Sequence, residues 1–172
     1  MTGTRTQTRY EVRAIRPDVL GQLRVRDDAG RTPRLVTNAD GDRPPLRCCL
    51  RGARPGEEIA LVSYAPLRRW AASAGADPGP YDELGPVFIH PAPCEGPAGN
   101  GFPPDLLGSG RVFRAYGAGG SILFGRLATA DEITDASAAD RVIDDVFADP
   151  RVAVVHARAV EYGCFTFEIR RA

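Results

Sequence analysis

Hydrophobic and polar positions alternate over residues 8–15, which places Tyr10, Val12 and Ala14 on one face of a predicted strand. Pro17 and Asp18 then open a short predicted helix carrying Val19, Leu20 and Leu23. Proline is tolerated there because the first N–H groups of a helix have no intrahelical acceptor. Further strands are predicted over 58–64, 86–90, 111–116, 121–128, 152–160 and 164–170, divided by Gly, Pro and Asp turns. Residues 111–128 read as a hairpin around Gly117-Ala118-Gly119-Gly120. In the last strand Phe165, Phe167 and Ile169 are expected on one face, with Cys164, Thr166, Glu168 and Arg170 on the other. Helical spacing recurs over 136–147, where Ala139, Val142, Ile143 and Val146 make one stripe, and Thr134, Asp135 and Ser137 are all eligible N-caps. Residues 66–84 have the composition of a surface excursion with Trp70 exposed, and 92–110 that of a long Gly/Pro loop. Residues 1–7 read as a polar tail. The expected architecture is a single α+β domain over residues 1–172, mainly antiparallel sheet, with a short N-terminal helix and one C-terminal helix.

Composition narrows the chemistry. The 172 residues carry 22 Lys+Arg against 22 Asp+Glu, so there is no basic excess to recruit nucleic acid or an anionic membrane. No apolar run approaches the ~20 residues of a membrane helix, and the polar N-terminus lacks the apolar core of a signal peptide. A cytoplasmic location is therefore expected. All 22 cationic side chains are arginine. Without lysine there is no internal Schiff base and no P-loop lysine. The only histidines are His90 and His156, which excludes a three-histidine zinc and the H-E-x-x-H arrangement. The four cysteines, Cys48, Cys49, Cys94 and Cys164, contain no C-x-x-C pair.

Three groups of residues could carry chemistry. His90 ends a strand and feeds the long loop, a firm mount for a general base, with Tyr81 and Glu83 shortly upstream and Glu83 as its expected orienter. Cys49 and Cys94 could join His90 as three soft metal ligands, His90-Pro91-Ala92-Pro93-Cys94 having a compatible spacing. Cys48 points away from Cys49 if that segment is extended, and Cys49 could instead be a nucleophile activated by His90. Arg114 and Arg158 lie on otherwise apolar strand faces and must be paired if buried, with an internal carboxylate such as Glu168 or with an anionic ligand. Tyr64, at a strand end, joins them as a substrate-binding candidate. The glycines of 108–110 and 117–120 lead into strands rather than helices and read as turns, not phosphate loops.

Several strings occur together in order: Leu46-Arg47-Cys48-Cys49-Leu50, Pro55-Gly56-Glu57, Ser63-Tyr64, Pro80-Tyr81-Asp82-Glu83, Gly85-Pro86-Val87-Phe88-Ile89-His90 with Cys94, Arg114-Ala115-Tyr116 and Tyr162-Gly163-Cys164-Phe165. From about residue 17 onward the chain thereby resembles an uncharacterised bacterial family, the domain of unknown function DUF1203. The resemblance implies no established activity. Members often carry a further cysteine three positions before the one matching Cys49, a position held here by Leu46.

The leading expectation is a small cytoplasmic bacterial enzyme performing cofactor-free acid–base chemistry: isomerisation, elimination, cyclisation or hydrolysis of a small anionic molecule. His90 would be the acid or base, and Arg114 or Arg158 the anion clamp. The alternative is a non-catalytic small-ligand or zinc-binding protein using Cys49, His90 and Cys94. Partners are expected to be a small molecule and, as an option, a second copy in a homodimer, with neither nucleic acid nor membrane.

Overall fold

The computed structural model describes residues 9–172. The tail expected over residues 1–7 lies outside the described residues. Among the described residues, two antiparallel sheets and three α-helices make an α+β fold. In chain order these are β1 (Tyr10–Arg13), α1 (Pro17–Leu23), β2 (Arg34–Thr37), β3 (Glu58–Tyr64), α2 (Pro66–Ala74), β4 (Gly85–Ile89), β5 (Arg111–Gly117), β6 (Ile122–Ala128), α3 (Ala136–Phe147), β7 (Val152–Ala159) and β8 (Phe165–Arg171). The larger sheet runs β1-β8-β7-β5-β6 and the smaller β2-β3-β4.

The larger sheet is built by two hairpins, β5–β6 and β7–β8, joined across β5 and β7, with β1 added along β8. One face, carrying Val12, Phe113, Val155, Phe167 and Ile169, shares a core with Ile143, Val146 and Phe147 of α3. Helix α3 forms because its apolar stripe repeats at three and four residues and because Asp135 caps it, accepting a 2.8 Å hydrogen bond from the Ala138 N–H. A second core lies between α1 and the smaller sheet, where Leu20, Leu23, Ile59, Val62 and Ile89 are buried together with Leu46.

Residues 66–74 form helix α2 rather than an open excursion. Pro66 starts it, Gly75 ends it with a left-handed φ of 68°, and Leu67, Trp70 and Ala71 are buried on one stripe. Trp70 is only 6% exposed and packs near Tyr116 and Val154 on the second face of the larger sheet. Phe165 leaves the face of Phe167 and Ile169. The β7–β8 register passes from Ala157↔Phe167 to Arg158↔Phe165, an extra residue at Thr166 that turns the Phe165 ring toward Tyr64 and His156. Strand β2, a largely exposed edge without alternation, was not expected from the pattern. The loop 92–110 is largely irregular, yet Phe102 and Leu106 within it are anchored in the α3 core.

Candidate metal centre

Residues 45–52 form a compact turn laid beside β4. Arg47 N–H donates to Phe88 O at 2.9 Å, and Ile15 N–H donates to Arg47 O at 2.9 Å. Leu50 N–H donates back to Leu46 O at 2.7 Å, closing the turn. Leu50 itself has φ of 63°, among the described residues the one non-glycine in the left-handed region. A leucine held there costs about 1–3 kcal/mol, opposed by burial of its side chain in the core. This curvature corrects the expectation for Cys48. In an extended segment its sulfur would face away from Cys49; in the turn both sulfurs face the end of β4.

That end carries His90. Its Nδ1 lies 3.2 Å from Cys48 Sγ and 3.9 Å from Cys49 Sγ, and its backbone N–H donates to Cys48 Sγ at 3.2 Å. Pro91 and Pro93 carry the chain out of β4 so that Cys94 returns over the same point. One ligand atom from each of Cys48, Cys49, His90 and Cys94 lies within 4.8 Å of all the others. Tetrahedral zinc, with bonds of ~2.3 Å to sulfur and ~2.0 Å to nitrogen, sets its ligand atoms roughly 3.5–3.8 Å apart. The four groups therefore stand within a side-chain adjustment of a Cys₃His shell. Burial is graded: Cys48 is buried, Cys49 and His90 are intermediate, and Cys94 is exposed.

The other imidazole nitrogen is also occupied. His90 Nε2 is 2.9 Å from Glu57 Oε1, and Arg51 NH2 lies 2.9 Å from the same nitrogen. Arg51 and Glu57 form a fork, NH2 to Oε1 at 2.6 Å and NH1 to Oε2 at 3.0 Å, and Arg54 N–H donates to Glu57 Oε2 at 2.9 Å. The Arg51 guanidinium, aided by that backbone N–H and by His90, holds the Glu57 carboxyl far below the ordinary glutamate range. With Nε2–H donating to the Glu57 carboxylate, the Nδ1 lone pair faces the sulfurs, and the carboxylate raises the basicity of the imidazole as a ligand. Between the two cysteines, the hydrogen bond from Cys48 lowers the Cys49 thiol while raising that of Cys48. Burial opposes the first effect and reinforces the second. Cys49 is thus disposed to be a thiolate, the form that binds metals and attacks electrophiles. The cluster opens on a basin of about 630 Å³ lined also by Arg54, Glu58 and Glu95.

The remaining candidates from the sequence lie elsewhere. Glu83 does not reach His90. It takes Arg114 NH1 at 2.9 Å and Arg158 NH2 at 3.0 Å, and so also occupies the place expected for Glu168. Glu168 instead pairs with Arg170 at 2.5 Å and stands 3.5 Å from Nε2 of the fully buried His156. Tyr81 is 41% exposed on a short 3₁₀ turn, Gly79–Tyr81, and Tyr64 is buried edge-on against Phe165 with ring centroids 5.4 Å apart. Cys48, Arg51 and Glu57 were missed as site residues. For Glu57 the available signal was the Arg54-Pro55-Gly56 turn, from which its carboxylate meets Arg51 and His90.

Residues 44–171 match the family model described as Protein of unknown function (DUF1203), and the chain belongs to that family. No curated protein and no solved structure matches the chain. Among the described residues, no helix is long and apolar enough to cross a membrane.

Proposed function

We propose that the protein binds a soft divalent cation, zinc foremost, through the sulfurs of Cys48, Cys49 and Cys94 and Nδ1 of His90. The observation that carries this reading is the convergence of four ligand atoms within 4.8 Å, backed by Glu57 on the far side of the imidazole. Thiolate and imidazole donors in a four-coordinate set select zinc over the oxygen-preferring cations. Full protein ligation argues for a structural role, in which metal affinity appears as folding stability. The centre ties the Cys48–Cys49 turn, the end of β4 and the start of the long loop to one point. Cobalt(II) added to metal-free protein tests this. A tetrahedral thiolate complex should give intense visible absorption at one equivalent, lost in the Cys49→Ser, Cys94→Ser and His90→Ala variants. Absence of that spectrum in the parent protein would overturn the assignment.

One observation favours a second reading, in which Cys49 is a nucleophile. Its thiol is lowered and it lines the open basin beside His90. The cofactor-free acid–base reading has less support, because both nitrogens of His90 are engaged, Nδ1 toward sulfur and Nε2 toward Glu57. Iodoacetamide separates these readings. In the nucleophile reading Cys49 is alkylated fastest among the four cysteines, with or without zinc. In the metal reading zinc protects Cys48, Cys49 and Cys94 together.

A further inference from the structure

Arg114 on β5 and Arg158 on β7 are held by neighbouring strands, in the register Arg114↔His156 and Val112↔Arg158, on the face that also buries His156. Their shared partner Glu83 sits on the loop before β4, with its side chain 46% exposed. The cations are therefore fixed by the sheet, while the anion between them is a surface loop side chain. Glu83 also leaves Arg158 incompletely used. Its side chain is 11% exposed, NH2 meets Glu83 and NH1 donates to Gly163 O at 2.9 Å, yet Nε is buried without an acceptor. A guanidinium binds a carboxylate best through two parallel N–H groups, and the tethered Glu83 engages one on each arginine. Glu83 is the exposed member of the pair, so solvent screens its attraction and a dissolved carboxylate can displace it. The adjoining cleft holds about 210 Å³ and is walled by Tyr64, Pro66, Tyr162, Cys164 and Phe165.

We propose that Arg114 and Arg158 form a seat for the carboxylate of a small organic acid, which Glu83 occupies as an internal stand-in until the ligand displaces it. The ligand carboxylate takes the Nε–NH2 edge of Arg158 and NH1 of Arg114, and its short body lies in the cleft against Tyr64 and Phe165. Small size follows from the cleft volume, and a planar carboxylate follows from the group already seated there. This site is separate from the metal centre and does not depend on it.

Calorimetric titration of the full chain with acetate and with malonate, inorganic phosphate serving as comparator, tests the proposal. Glu83→Gln removes the competing charge while keeping the side-chain shape, and should tighten carboxylate binding about two- to six-fold, the change expected where the internal pair is closed roughly half to five-sixths of the time. Arg158→Met should abolish binding. Arg158→Lys, which keeps the charge but not the fork, should weaken it and serves if the methionine variant does not fold. No saturable carboxylate binding to Glu83→Gln would overturn the proposal. So would equal binding in the parent and all variants, or binding of phosphate alone.

Discussion

Replacing Glu57 probes the proposed metal centre without touching any of its four candidate ligands. The carboxylate receives His90 Nε2 at 2.9 Å, two Arg51 nitrogens at 2.6 and 3.0 Å and the Arg54 backbone N–H at 2.9 Å. Glu57→Gln retains one oxygen acceptor for Nε2–H, so the ring keeps its orientation. It removes the negative charge that makes Nδ1 a stronger donor and leaves the half-buried Arg51 cation beside the site uncompensated. Loss of such an outer carboxylate lowers metal affinity about 10–100-fold. Because Gln keeps the hydrogen bond, the expected loss lies near the lower bound, about ten-fold or ~1.4 kcal/mol. Glu57→Ala also frees the ring and the Arg54 N–H and should approach the upper bound, about 100-fold or ~2.7 kcal/mol. Competition between the protein and a chromophoric zinc chelator measures both values. Melting of the metal-free variants measures the metal-independent cost of losing the Arg51 fork and the Arg54 N–H contact, and so separates it from the change in metal affinity. If both variants bind zinc as tightly as the parent, the inferred role of Glu57 is refuted.

Other consequences follow from packing, capping and charge. Ile143→Ala, at a fully buried position of α3, should cost about 2–5 kcal/mol in urea unfolding; a loss below that range would mean that the core closes around the cavity. Asp135→Ala removes the side-chain cap on the Ala138 N–H and should cost about 1 kcal/mol, whereas Ser137→Ala, which provides no cap, should change little in the same assay. Burial pushes the Asp27 carboxyl up, but hydrogen bonds from the Ser63, Arg31 and Ala29 N–H groups outweigh it and hold the carboxyl below its ordinary value. Its stabilisation is therefore complete above the unfolded value of about 3.9 and declines as pH falls below it. Asp27→Asn should lower stability at neutral pH by about 1–3 kcal/mol and flatten the acid limb of a stability–pH curve; an unchanged acid limb would contradict this account.

Much of the fold is legible in the sequence because its strands and α3 follow the two simple periodicities. Tyr10 and Val12 alternate as a half-buried strand should, and Ala139, Val142, Ile143 and Val146 repeat as a helix stripe should. Helix α2 is obscured by its content: two arginines, small residues and a single tryptophan, with burial confined to Pro66, Leu67, Trp70 and Ala71. Phe165 defeats strict alternation because the extra residue at Thr166 shifts its side chain across the sheet, and a bulge leaves no mark in a hydrophobic pattern. At the site, His90, Cys49 and Cys94 are recognisable by residue type and spacing. Cys48 is hidden by the assumption of an extended segment, which the left-handed Leu50 breaks. The turn that carries Glu57 is legible in the sequence, but its contact with His90 is hidden because it depends on where β3 and β4 pair. Arg114, Arg158 and Glu83 are each visible in sequence, yet their union depends on the β5–β7 register and the loop before β4.

The proposed centre requires Cys48, Cys49, His90 and Cys94 to hold one metal ion together. Elemental analysis of protein stripped with a chelator, reloaded with excess zinc and freed of unbound metal by gel filtration tests it most directly. One zinc per chain, absent from the Cys49→Ser/Cys94→Ser double variant, is the predicted result. Protein that emerges without zinc, or a double variant that retains a full equivalent, would contradict it.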